Sequence, residues 1–251
     1  MNINFYPIFE EFEPLLKLYP PVKASEFLPE WYKKQANYKR IDYKFGPSIP
    51  NAKICPAIRY DLTEGIILPA WSDVIIEYNK QDTNWVCSVG SVNFLDQRIR
   101  EFPFLSNHSY NQTEGMNLNI GGYGALKLSS PYYMSTEPGV HTKFTDVTHH
   151  IRRDVRFLSA TVETDIWHEV NFPFEFINPP TDETKKILIK AGDPLVMLTP
   201  IKAQKTKPTI TLHKYNQKFV DDFRVHELQQ RSVSLSWNKY KQYRKSINEE
   251  E

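Results

Sequence analysis

The feature that most limits what this chain can fold into is its proline distribution: 18 prolines run from Pro7 to Pro208, against only 9 glycines. A proline inside a helix removes a hydrogen bond and its ring clashes with the preceding turn. Spread this widely, the prolines punctuate the chain and exclude long helices over most of it. Short strands joined by irregular loops are what remains. The clearest strand is residues 170–176, where Val170, Phe172, Phe174 and Phe176 share one face and Asn171, Pro173 and Glu175 the other. Pro173 has no N–H for a ladder, so this strand is expected at a sheet edge. Further strand-like runs are residues 66–69, 74–78, 85–89, 124–128, 156–164, 195–200 and 209–213. Asp193-Pro194 separates Ile187-Leu188-Ile189 from Leu195-Val196-Met197, which predicts a hairpin or a corner there.

Helix signals are local. Ser25 is placed to cap a short helix over 26–35, and a short turn is expected over 56–61. From Asn216 onward, where no Pro or Gly follows, Phe219, Phe223, Val233, Trp237, Tyr240 and Arg244 recur at helical spacing, although residues 232–237 alternate as a strand would. Many strand runs with little helix between them predict a mainly β fold, an antiparallel β-sandwich or jelly-roll with short peripheral helices and a C-terminal helix. The expected division is an extended segment 1–23, a sandwich domain 24–215 and a helical segment 216–251 that docks on its own domain. Long loops at 96–123 and 131–153 are expected to carry the functional surface.

Composition narrows the function. Lys and Arg number 31 against 30 Asp and Glu, a net charge of +1, so no global field favours nucleic acid or an anionic membrane. Hydrophobic residues at 40% exclude disorder over most of the length. No run approaches the roughly 20 apolar residues of a membrane helix, and residues 1–21 lack the basic and apolar blocks of an export signal. Cys55 and Cys87 are too few for a disulfide framework, so two buried thiols in a reducing compartment are expected. The glycosylation-type triplets at Asn107 and Asn111 have no secretory context to use them.

Metal chemistry would have to come from seven histidines, and their spacing fits no metal motif. No His-x-Asp, His-x-Glu or His-Glu-x-x-His occurs. His141, Asp146, His149 and His150 fall in one region and are the candidates for convergence; no cofactor is expected. Neither a Gly-x-Ser-x-Gly elbow nor a phosphate-binding glycine loop is present, and Asn119 to Gly124, outside the residues the structure describes, is expected as a flexible turn. Tyr132, Tyr133 and Thr136 combine flat rings with hydroxyls, which suits carbohydrate or protein contact, and Arg152 and Arg153 could form an anion-binding edge. These five are the expected contact surface, and a symmetric oligomer, if formed, is expected to use Tyr132 and Tyr133. The basic and aromatic residues from Trp237 to Lys245 resemble an RNA-contact pattern, ranked below a subunit contact.

Four blocks together resemble an uncharacterised family of T4-like tailed bacteriophages. They are Ala24-Ser25-Glu26-Phe27-Leu28-Pro29-Glu30-Trp31-Tyr32-Lys33, Lys53-Ile54-Cys55-Pro56 with Asp61 and Gly65 to Leu68, Ser130 to Thr136 with Gly139, and Gly192-Asp193-Pro194-Leu195 with Pro200. The third block carries Tyr where the family tends to show Trp. The resemblance implies phage origin and a β-rich fold, with no activity attached. The leading expectation is therefore a non-enzymatic phage protein, a virion component or an accessory protein in the host cytoplasm, acting through protein contacts. The alternative is a jelly-roll enzyme or small-ligand binder, possible metal dependence resting on His141, Asp146, His149 and His150.

Overall fold

The computed structural model describes residues 1–40, 48–79, 84–89, 102–107, 114–116, 126–150, 155–177, 186–203, 210–218, 220–221 and 224. Among these the strands are β1 (Ile3–Pro7), β2 (Val22–Lys23), β3 (Tyr38–Arg40), β4 (Ser48–Pro50), β5 (Ile66–Pro69), β6 (Val74–Asn79), β7 (Asn84–Val89), β8 (Leu105–Asn107), β9 (Leu126–Thr136), β10 (Val140–Asp146), β11 (Val155–Phe157), β12 (Ala160–Val162), β13 (Glu169–Phe176), β14 (Lys186–Ile189) and β15 (Pro194–Lys202). The helices are α1 (Glu13–Leu18), α2 (Glu30–Lys34) and α3 (Pro56–Thr63). The chain divides into two compact units, Met1–Phe27 with Gly65–Ala203 and Leu28–Glu64 with Gln204–Glu251. This differs from the division expected at 23/24 and 215/216, because β1 and β2 pair within the sheets of the first unit.

The first unit is a mainly β, antiparallel sandwich. One sheet runs β1-β9-β13-β11, with β8 also on β9; a second runs β12-β10-β15-β5-β2; a smaller third runs β14-β6-β7. From β9 to β13 successive strands alternate between the first two sheets, so each link is a corner rather than a hairpin. The period-2 pattern explains the layer between them. Val170, Phe172, Phe174 and Phe176 are all buried, and Phe172 meets Phe144 of β10 with ring centroids 6.0 Å apart. Leu126, Leu128, Tyr132 and Met134 of β9 belong to the same cluster, as do Leu195 and Leu198 of β15. Each such side chain withdrawn from water stabilises the fold by roughly 1.5–3 kcal/mol.

β13 is interior to its sheet, not at the edge that Pro173 suggested, because it pairs with both β9 and β11. Pro173 accepts from Leu158 N at 2.8 Å, so its ring nitrogen faces the same side, where β11 has ended at Phe157. The missing N–H therefore faces no ladder acceptor. Pro131, inside β9, uses the same device. Its carbonyl accepts from Ile8 N at 3.0 Å, on the edge where β8 starts, opposite Leu128, and β1 ends, opposite Tyr132.

Of the hairpin or corner expected at Asp193-Pro194 the structure has the corner, since residues 187–189 and 195–197 part into different sheets. Other expectations are corrected. The 156–164 run breaks into β11 and β12, and 131–153 is chiefly β9 and β10 rather than a loop. Residues 210–213 form no strand, and Ile210 and Leu212 are exposed. Ser25 caps no helix: residues 24–26 form a 3-10 turn, and α2 starts after Pro29. Helix begins at Gln217 and includes Lys218, Val220, Asp221 and Arg224, with Val220 N bonded to Asn216 O at 3.1 Å; Trp237 and the rest of that segment lie outside the described residues. Cys55 is half-buried rather than buried, and the Cys87 side chain lies outside the described residues.

In the second unit β3 pairs with β4 and the end of α2 is secured by Lys53, whose Nζ donates to Lys33 O at 3.1 Å and Gln35 O at 3.0 Å. Tyr32 donates back to Lys53 O at 3.1 Å. A cation on the last carbonyls of a helix satisfies its orphan acceptors and its dipole.

Two glycines with positive φ provide a stability test. Gly65 has φ 116° and a Cβ there would sit 2.8 Å from the backbone oxygen of Leu198, whereas Gly139 has φ 75° and open space around it. Gly65→Ala is expected to cost more than about 2 kcal/mol, and Gly139→Ala about 1 kcal/mol. Urea unfolding of the two variants measures the difference; equal losses would contradict the packing at Gly65.

Candidate functional site

The turn that hands the chain from β9 to β10 is built from Glu137, Pro138, Gly139 and Val140. Val140 N bonds to Glu137 O at 3.0 Å, and Gly139 has φ 75°. A type II turn requires positive φ at its third position, here Gly139, and favours proline at its second, here Pro138. Facing it is the turn after β12, where Ile166 N and Trp167 N both bond to Glu163 O, at 2.9 and 2.7 Å. Thr136 N reaches Thr164 O at 3.2 Å, and Gly139 N donates to Asp165 Oδ2 at 2.8 Å, which ties the two turns together.

Three hydroxyls run through this corner in an order fixed by their partners. Thr136 Oγ1 donates to the carbonyl of Val140, which can only accept. Its hydrogen being spent, the 2.9 Å contact between Thr136 and Thr164 must have Thr164 as donor. The 2.7 Å contact between Thr142 and Thr164 then has Thr142 as donor. Thr142 and Thr164 are fully buried. No threonine hydrogen is left for the neighbouring carboxylate.

That carboxylate is Asp165. Its Oδ1 is shielded from solvent and has no hydrogen-bond partner among the described residues. His141 Nε2 lies 3.8 Å away, beyond hydrogen-bond reach. The Asp165 side chain is 10% exposed and that of His141 21%, so the imidazole is on the solvent side of the pair. An unsatisfied buried carboxylate oxygen is costly, and a donor that reached it would recover that cost. The pair thus offers an acceptor with unused capacity beside an imidazole, the side chain best suited to moving a proton near neutral pH.

Of the four residues expected to converge on a metal, only His141 belongs here. His141 and Asp146 are an odd number of residues apart on β10 and so face opposite sides of the sheet. Asp146 Oδ1 accepts from Phe157 N at 3.2 Å, holding the link from β10 to β11. His149 and His150 lie in the 3-10 turn Thr148–His150, and the His150 ring packs 5.8 Å from that of Phe27. Among the described residues no group of three or more His, Cys, Asp or Glu is placed to hold a metal ion. Burial first, and the neighbouring His149 second, lower the His150 pKa to about 4.

The expected contact surface also divides. Tyr132 is buried on the inner face of β9, its hydroxyl has no hydrogen-bond partner among the described residues, and burial raises its pKa. Tyr133 points outward, 42% exposed, opposite Tyr6 of β1, 54% exposed. Thr136 is a member of the threonine chain, and Arg152 and Arg153 lie outside the described residues. Thr164 and Asp165 escaped sequence reasoning because their partners come from β9 and β10, across a corner that no local pattern encodes.

No protein-family profile and no curated protein matches this chain. Similar solved structures include the native dUTPase of EIAV, 8% identical over 62% of this chain and 89% of that one, with a TM-score of 0.33. A dUTPase mutant of phage 80alpha is 6% identical over 86% of this chain and 91% of its own, TM-score 0.36. The dUTPase of phage phi11 of S. aureus is 8% identical over 86% and 99%, TM-score 0.35. At these scores the likeness carries no substrate to this chain. Every one of these proteins is an enzyme, however, where the sequence led to a non-enzymatic virion or accessory protein acting through contacts. That expectation is corrected, and the burial of Tyr132 removes part of the surface on which it rested. Among the described residues no helix is long and apolar enough to cross a membrane.

His150 gives a pH test. Its folded pKa of about 4 lies below the ordinary 6.5, so the unfolded chain binds the proton first as pH falls. Its contribution to stability is complete above about pH 6.5 and is lost as pH falls toward 4. Allowing for partial exposure of the ring, the loss is about 1–2 kcal/mol. His150→Gln is expected to flatten this part of the stability profile in thermal melts between pH 7 and pH 4.5, taken as roughly spanning the window. An unchanged slope would contradict the assignment.

Proposed function

We propose that this protein is a small-ligand-handling β-sandwich protein, an enzyme or binder of a polar small molecule, with its site at the His141–Asp165 corner. The carrying observation is the shielded, unbonded Oδ1 of Asp165 with an imidazole nitrogen 3.8 Å from it. Asp165 holds a group of the ligand, and His141, on the solvent side, is the residue for proton transfer. Contacts of this kind are commonly long before the ligand arrives and tighten when it binds. The rest of the corner is rigid, since its three threonine hydroxyls and the Gly139 N–H are already committed. No metal enters this reading. Phage origin, which the sequence resemblance implies, and action in the host cytoplasm belong to the same proposal.

Thermal-shift screening of the full chain tests it, with a panel of sugars, amines, amino acids and nucleotides that includes dUTP. At least one compound is expected to raise the melting temperature of the wild type and to lose most of that effect in Asp165→Asn and His141→Gln. Because Asp165→Asn keeps the side-chain shape, a folded variant is expected, and circular dichroism confirms it. Stabilisation that survives both substitutions, or none from any compound, would overturn the reading.

A further inference from the structure

The chemistry of the corner restricts what the ligand can be, given the site proposed above. We infer that the ligand group entering it is a non-anionic hydrogen-bond donor, a hydroxyl or an amine, and that phosphates and carboxylates are rejected. The three threonine hydroxyls and the Gly139 N–H are already used. Gly139 N–H is on Asp165 Oδ2, and Thr142, Thr164 and Thr136 donate in series, ending on Val140 O. The remaining free capacity is an acceptor, Asp165 Oδ1. An acceptor calls for a ligand hydrogen, which a carboxylate or a phosphomonoester dianion does not supply; inorganic phosphate has a P–OH hydrogen but brings negative charge against a carboxylate.

Charge points the same way. The two turns themselves carry carboxylates only, Glu163 beside Asp165 and Glu137 at the start of the turn bonded to it through Gly139, both exposed; the nearby cations, Lys143 and Lys202, lie on β10 and β15. An anion placed against Asp165 Oδ1 would meet like charge in a partly desolvated position, where repulsion is least screened. An ammonium or hydroxyl meets a charge-assisted acceptor instead. His141 Nε2 completes the match whichever way it is protonated. As an acceptor it takes a second hydrogen from an amine, and as a donor it gives one to a hydroxyl oxygen. Because Oδ1 is shielded and the imidazole is the more exposed partner, entry requires His141 to turn aside, and the ligand then contacts both residues.

Histidine ¹⁵N NMR on the full chain reads this directly, with His141 assigned by loss of its signals in His141→Gln. The probes are glucose, ethanolamine and inorganic phosphate at matched ionic strength. Glucose or ethanolamine is expected to shift the His141 resonances with an apparent affinity at least about tenfold tighter than phosphate, and Asp165→Asn is expected to abolish the difference. A response to ethanolamine alone assigns the amine and a response to glucose alone the hydroxyl; either supports the inference. Tighter response to phosphate would overturn it while leaving the proposed site standing. No His141 response to any probe overturns it as well, and the broader thermal-shift panel then decides whether the site itself stands.

Discussion

The buried chain of threonine hydroxyls at the end of the sandwich is the interaction on which the site depends. From β9 to β13 the backbone changes sheet at every link, so polar groups are repeatedly carried to the margin of an apolar layer. A buried donor or acceptor left unpaired there costs about 1–3 kcal/mol, more than a formed hydrogen bond returns. Thr142, Thr164 and Thr136 avoid that cost by bonding in series and ending on Val140 O. They join β10, the turn after β12 and the end of β9 at one point, and the same closure leaves Asp165 Oδ1 without a donor among the described residues. Rigidity of the corner and the vacant acceptor are two results of one arrangement.

Prolines shape the rest of the sandwich as much as its apolar residues do. Pro7 and Pro69 close strands, Pro194 opens one, Pro56 starts α3, and Pro138 makes the turn at the site. Pro131 and Pro173 lie inside strands, and each turns its nitrogen toward a place where the neighbouring strand has ended. At these two positions a proline costs the ladder no hydrogen bond. A half-buried strand and a fully central one are both open to a proline wherever the adjacent edge is interrupted.

Much of this fold was legible in the sequence. Alternation in Val170, Phe172, Phe174 and Phe176 identified both the strand and its buried face, and the mainly β antiparallel class followed from many short runs without long helices. What failed was the neighbourhood. Pro173 speaks for an edge only if its partner strand is long, and strand length is set by tertiary pairing. Tyr132 lies in register with Leu126, Leu128 and Met134, so period 2 already turned it inward. The prolines and glycines around it suggested a loop instead. His141 was singled out, but with Asp146 and the His149-His150 pair, its neighbours in sequence; its partner in space is Asp165, on the turn beyond β12.

A high-resolution crystal structure of the protein with its ordered solvent bears most directly on the account. The expected result is an Asp165 Oδ1 that no protein group bonds, with any bridging water or solute lying between it and His141 Nε2. Direct hydrogen bonding of Oδ1 to His141 or to another protein donor, in a corner whose threonine chain is otherwise as described, would contradict the claim that this oxygen is held open for a ligand.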